Sequence, residues 1–357
     1  MSVVLWLLGI IVVVVAILAF RYRPADHSRY DMPLTAPVIR DDEVSAAHED
    51  VVAKLKAFTS SRSTDVRISR QQMEELFYRD VDARIVPVDC DGVPGEWVLA
   101  EGADPDRRLL YLHGGAFRVG SPRSHRLVTF ELSRRAGVSV LCIDYRMQPE
   151  FKTVDCHDDA RTAYDWMVRH SPAGESGLPD AVFVAGDSAG GNLTLSTLAW
   201  CRDTERRMPD AAIALAPLTD STLSSPTWKR NLKSDPFLAP GIGPMFKVPS
   251  FVLRIGVRIM AGLPPNHPTL SPLLGDLAGL PPTLIQVSRD EMTYGDAQRY
   301  ANKAAEAGSP VTLQVWPKMV HVFQGFPELP ETDDAYNRMA AFLLQFKVAG
   351  TTDVAAG

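Results

Sequence analysis

A chain of 357 residues with a formal net charge of −6 carries no basic field for nucleic acid, which excludes that class of partner. Its 46% hydrophobic content and its length suit either one large α/β domain with an insertion or two ordinary domains. The four cysteines, Cys90, Cys142, Cys156 and Cys201, have no C-x-x-C spacing, which argues for buried free thiols rather than a zinc site or redox pair.

The first element is apolar throughout. Residues 2–20 contain no charged side chain and are rich in Val, Leu and Ile; as a helix they would span about 28 Å, close to the bilayer core. No Lys or Arg precedes the run and no A-x-A site follows it, so residues 1–22 read as a single-pass transmembrane anchor rather than a cleaved signal. Arg21 and Arg23 flank the helix on its C-terminal side and, by the positive-inside rule, place the rest of the chain in the cytoplasm.

Residues 23–80 read as a tether followed by two helices. The stretch 24–37 is polar with three prolines, whereas 41–59 and 69–78 have helical spacing of apolar residues, with Val51, Leu55 and Phe58 on one face and Met73, Leu76 and Phe77 on another. Amphipathic helices of this kind pack on something, and they are candidate pieces of a lid.

From residue 81 the pattern becomes that of an α/β core. Strands are expected at 84–88 and 96–100, joined by a turn at Asp91-Gly92-Val93-Pro94, and at 108–112, which runs into His113-Gly114-Gly115-Ala116-Phe117. A helix at 124–136, a strand at 138–145, a helix at 158–170, a strand ending near 184, a helix at 193–201 and a strand at 211–215 follow. That alternation implies a mainly parallel sheet with helices on both faces. The pattern then stops: residues 220–268 are rich in Pro and Gly and read as an insertion whose helices cover the site. The core resumes over 269–346, with strands at 282–287 and 311–316 and helices at 294–307 and 333–346. The tail, 347–357, is small and polar.

Three separated positions carry the chemistry. Ser188 lies in Gly186-Asp187-Ser188-Ala189-Gly190, a G-x-S-x-G sequence in which small residues let a strand turn sharply into a helix and expose the hydroxyl. A serine needs a base within hydrogen-bond reach and a carboxylate to orient that base. His321 follows the strand 311–316 and Asp290 follows the strand 282–287, both at the same sheet edge as Ser188. Asp290 is taken as the orienting acid, with Glu291 and Asp296 in reach of the same loop. The N–H groups of Gly115, Ala116 and Ala189 are candidates for an oxyanion hole, and His113 and Gly114 for support of that loop. Asp155-Cys156-His157-Asp158-Asp159 superficially resembles a metal cluster, but it crowds a helix start, where carboxylates suit the dipole. No metal and no organic cofactor is expected.

These motifs, together with Asp144-Tyr145-Arg146, Pro149-Glu150 and Ser271-Pro272-Leu273, resemble those of the hormone-sensitive-lipase family of α/β-hydrolases, over roughly residues 80–345. The family usually has H-G-G-G where this chain has Ala116 in the last place, and the methyl group narrows the pocket. The resemblance implies a serine carboxylic-ester hydrolase acting on short- to medium-chain or lipophilic esters through an acyl-enzyme, with a cap built from the N-terminal segment and the insertion. The same triad serves amidases, deacetylases and acyltransferases, and receptors on this fold lack the histidine that is present here as His321. The partners implied are a small ester, the membrane through the N-terminal helix and, left open, a second copy in a homodimer.

Overall fold

The computed structural model describes residues 2–32, 44–174 and 177–346; the tail at 347–357, part of the tether and the expected helix start at 41–43 lie outside them. Eight strands form one sheet: β1 (Arg84–Cys90), β2 (Val93–Leu99), β3 (Asp104–Leu112), β4 (Val138–Ile143), β5 (Ala181–Asp187), β6 (Ala211–Leu215), β7 (Thr283–Ser288) and β8 (Val311–Trp316). Their order is β1-β2-β4-β3-β5-β6-β7-β8, antiparallel across β1, β2 and β4 and parallel from there on. β4, β5, β6 and β7 are buried along their whole length, as their unbroken apolar runs require of strands covered on both faces.

The first hairpin is tighter than expected. Asp91 and Gly92, at φ 54° and 94°, make the whole turn, so Val93 and Pro94 already pair with Cys90 and Asp89. Proline is tolerated there because it sits at the start of the strand.

The helices of the core are α4 (Arg126–Ala136), α5 (Thr153–Arg169), α6 (Ala189–Asp203), α10 (Tyr294–Glu306) and α11 (Pro330–Leu344). α5, α6 and α10 bury Ala160, Met167, Leu193, Leu198 and Tyr300 on one face of the sheet, and α4 and α11 bury Leu132, Met339 and Leu343 on the other. α5 starts five residues before its expected position, where the Asp155 carboxylate reaches back to accept the Lys152 N–H at 2.8 Å.

Before the sheet lie α1 (Ser2–Arg21), α2 (Ala46–Ser60) and α3 (Val66–Phe77); within the insertion lie α7 (Thr227–Arg230), α8 (Ala239–Ile242) and α9 (Ser250–Ala261). α2 and α3 bury Val51, Leu55, Met73 and Phe77 against Trp316, Met319, Phe323 and Phe326, the stretch at and just after the end of β8. Two buried carboxylates help pin the insertion. Asp296 of α10 accepts the N–H groups of Thr219 and Asp220 at 3.0 Å each, and the buried Asp235 accepts those of Phe237, Leu238 and Met292 at 3.0, 2.8 and 2.9 Å.

α1 lies along α9 and leaves Leu5, Trp6, Leu7, Val13, Ile17 and Phe20 exposed. Some side chains within it, at positions 2–3, 8–9, 11–12 and 19, lie outside the described set, and among the described residues no helix is long and apolar enough to cross a membrane. The part of the tether that is described is docked rather than loose. Asp31 takes two hydrogen bonds from Arg299 at 2.6 and 2.9 Å, and Asn302 donates to the carbonyls of Tyr30 and Met32 at 2.7 Å each. All four cysteines are free and buried.

Candidate active site

β5 ends at Asp187, and the chain reverses into α6 through a single strained residue. Ser188 has φ 53° and ψ −112°, a region that costs a non-glycine residue on the order of 1–3 kcal/mol unless its surroundings fix it. The fixing bonds are present: the Ser188 N–H donates to Leu215 O at 2.7 Å, and its carbonyl accepts from Asn192 and Leu218 at 3.1 and 3.2 Å. The turn also needs Gly190, because a Cβ there would collide with the backbone of Leu112. The two adjacent glycines are why the sequence places the helix start later than Ala189; the elbow overrides their poor helix propensity.

His321 stands over this serine, its Nε2 2.9 Å from Ser188 Oγ, and it is 1% exposed. The carboxylate behind the imidazole is not that of Asp290. Glu291 Oε2 hydrogen-bonds His321 Nδ1, and Glu291 Oε1 accepts the Ser288 N–H at 2.7 Å. Asp290 instead faces the neighbouring loop and accepts the Lys318 N–H, while its own carbonyl takes a hydrogen bond from Ser234. The correction has a simple cause. The turn after β7 sends residue 290 outward and residue 291 inward beneath His321, so the inward carboxylate is the one that meets the ring. Asp296 holds the insertion and does not reach the histidine.

Burial works against charge on His321, but the Glu291 carboxylate, with Asp235 and Asp187 farther off, outweighs it and raises the imidazolium above the ordinary histidine range. Asp187, beside the serine, is also fully buried, which pushes its carboxyl up. His125 and the Tyr111 hydroxyl, the latter at 2.7 Å, overcome that and leave it lowered.

The loop after β3 is built for backbone donation. Gly115, Ala116 and Phe117 have φ of 118°, 55° and 59°, and Gly115 is required because a Cβ would strike Val119 O. Among the described residues no acceptor takes the N–H of Gly115 or Ala116, and that of Ala189 opens α6, where no partner exists within the helix. Gly114 donates to Asp187 at 3.0 Å and so ties this loop to the serine elbow. His113 is fully buried and pushed down to about 3, chiefly by burial, so it is neutral; it bonds Gly114 O at 2.8 Å and stacks on Tyr145 at 4.2 Å.

Ser188, His321, Gly115, Ala116 and Ala189 share the floor of a cavity of 830 Å³. Its walls come from the N-terminal helices (Phe58, Met73, Phe77) and from the insertion (Phe237, Met245, Val257), so both segments line the space at the serine. Asp155, His157 and Asp159 do not converge: Asp159 holds Arg146 and Asp155 caps α5. No group of three His, Cys, Asp or Glu side chains suited to a metal occurs among the described residues.

Residues 109–325 match the family profile described as alpha/beta hydrolase fold, and the chain belongs to the hormone-sensitive-lipase family of α/β-hydrolases. It is an enzyme of the esterase class. It is similar to an acetyl-hydrolase of Streptomyces hygroscopicus, 37% identical over 70% of this chain and 78% of the other, and to an esterase of Acinetobacter venetianus, 30% identical over 76% and 85%. Among solved structures it is similar to an esterase from the bacterial hormone-sensitive lipase family, with a TM-score of 0.75 and 32% identity, covering 85% of this chain and 99% of that one.

Proposed function

We propose that the protein hydrolyses carboxylic esters through a Ser188–His321–Glu291 triad and an acyl-enzyme. The observation that carries this is the 2.9 Å contact of His321 Nε2 with Ser188 Oγ, on a strained elbow, with a buried carboxylate on the other ring nitrogen. Ser188 Oγ attacks the ester carbonyl carbon while its proton passes to His321 Nε2. The Glu291 carboxylate keeps the proton of Nδ1 in place and stabilises the imidazolium. The N–H groups of Gly115, Ala116 and Ala189 receive the oxyanion. Collapse of the tetrahedral adduct expels the alcohol, which takes the proton from His321; water, deprotonated by the same imidazole, then releases the acid.

The apolar walls favour short- to medium-chain or lipophilic acyl groups, in keeping with the acetyl-hydrolase and esterase names of the relatives. Residues 23–80 and 220–268 act as the cap, and residues 1–22 as a membrane anchor with the catalytic body on the cytoplasmic side. The anchor rests on the uncharged run 2–20, on Arg21 and Arg23, and on the exposed apolar side chains of α1.

A fluorophosphonate probe tests the chemistry directly. It should label the full chain at Ser188 and fail on Ser188→Ala; turnover of 4-nitrophenyl esters of graded chain length against a 4-nitroanilide then ranks ester against amide. An unlabelled wild-type chain would sink the proposal.

A further inference from the structure

The cavity carries two guanidinium groups that the hydrolytic chemistry does not use. Arg62, just after α2, and Arg118, just after the oxyanion loop, both line it, and the Arg62 guanidinium lies against Gly241 of α8, so it stands where the two covering segments meet. Neither side chain donates a hydrogen bond or forms an ion pair among the described residues, whereas Arg70 and Arg299, for example, each hold a carboxylate. The one carboxylate among the lining residues, Asp187, is already held by Tyr111, Gly114 and His125. Glu150, which lies toward Arg118, is taken in bidentate fashion by Arg70 at 2.8 and 3.0 Å. Burial, and then repulsion from Arg118, lowers the Arg62 guanidinium below its ordinary value, though an arginine stays charged. Arg62 is exposed and Arg118 half-buried, so both keep their charge at the cavity, and a planar guanidinium fork matches a carboxylate or phosphate.

Resting on the ester-hydrolase reading above, we propose that Arg62 and Arg118 form an anion subsite of the cavity, and that the preferred substrates are esters bearing a carboxylate or phosphate away from the scissile bond. The shared chemistry is the anionic oxygen pair; whether it sits on the acyl or the alcohol side is resolved by two substrate pairs. The first is mono-4-nitrophenyl suberate against its methyl ester, and the second is 1-butyrylglycerol 3-phosphate against 1-butyrylglycerol.

In the full-length protein the anionic-to-neutral ratio of kcat/KM in at least one pair should exceed one and fall about tenfold in Arg62→Gln. It should fall further in the Arg62→Gln/Arg118→Gln double variant, and Arg62→Lys should retain part of it. Because each ratio is taken within one protein, a variant that folds poorly does not disturb it. Ratios that are the same in wild type and variants for both pairs overturn the subsite. If no ester is turned over at all, the hydrolase reading fails instead. Calorimetric binding of suberic acid monoamide against suberamide then decides the subsite alone: loss of the acid's advantage in the double variant supports it, and equal binding overturns it.

Discussion

The choice between two adjacent carboxylates turns on one residue of register. Glu291 is 1% exposed beneath His321, whereas Asp290 is spent on the Lys318 N–H. Glu291→Gln should therefore lower kcat by on the order of 10²–10⁴ by leaving the imidazole in the wrong tautomer and uncompensated. Asp290→Asn, which costs one loop hydrogen bond, should lower it by no more than about tenfold; steady-state kinetics on 4-nitrophenyl butyrate separates the two. The pH dependence comes from the same pair. The base must be neutral, and Glu291 holds the His321 imidazolium above its ordinary value, so activity should be lost as pH falls through a midpoint above about 6.5. The Glu291→Gln variant should shift that limb of the kcat/KM profile to lower pH. Of the site, Ser188, His321 and the donor loop were legible because each lies where an apolar strand stops. The acid was not, since Asp290-Glu291 offers two carboxylates in a row and only the path of the turn after β7 decides which points inward.

At the scale of elements, β6 and β7 could be read to within a residue because continuous burial demands continuous apolar runs, whereas β3 starts four residues earlier and β5 runs three residues further than expected. Helix starts were less legible: α6 begins on glycines that disfavour a helix and is imposed by the packing of the elbow. The insertion showed itself only as a break in pattern, and its attachment through Asp235 carried no sequence signal, being a contact with residue 292, far along the chain. That contact ties the covering segment to the loop that holds Glu291. Asp235→Ala leaves one buried and two part-buried N–H groups without an acceptor and should cost about 1–3 kcal/mol of stability by denaturant unfolding. It also removes a negative charge near His321, so the acid limb of the activity profile should move down in pH. An unmoved limb would show that Asp235 acts through structure alone.

For the whole molecule, the order serine, acid, histidine was readable because a parallel sheet gathers the C-terminal ends of β5, β7 and β8 on one side, whatever their separation in sequence. The N-terminal helix is the feature that lies outside this logic. If it is the anchor, deleting residues 2–20 should release the protein from membranes in a vesicle flotation assay while 4-nitrophenyl butyrate hydrolysis in solution persists; a deleted chain that still floats would count against the anchor. The residues just after α1 matter as much as the helix itself. Tyr22 is buried, Asn266 grips the Arg21 carbonyl at 3.1 Å, and the Arg299 clamp on Asp31 comes only a few residues later. There is thus almost no slack between the helix and the catalytic body. Were α1 held in a bilayer, these contacts would keep the catalytic body close against it rather than on a free tether.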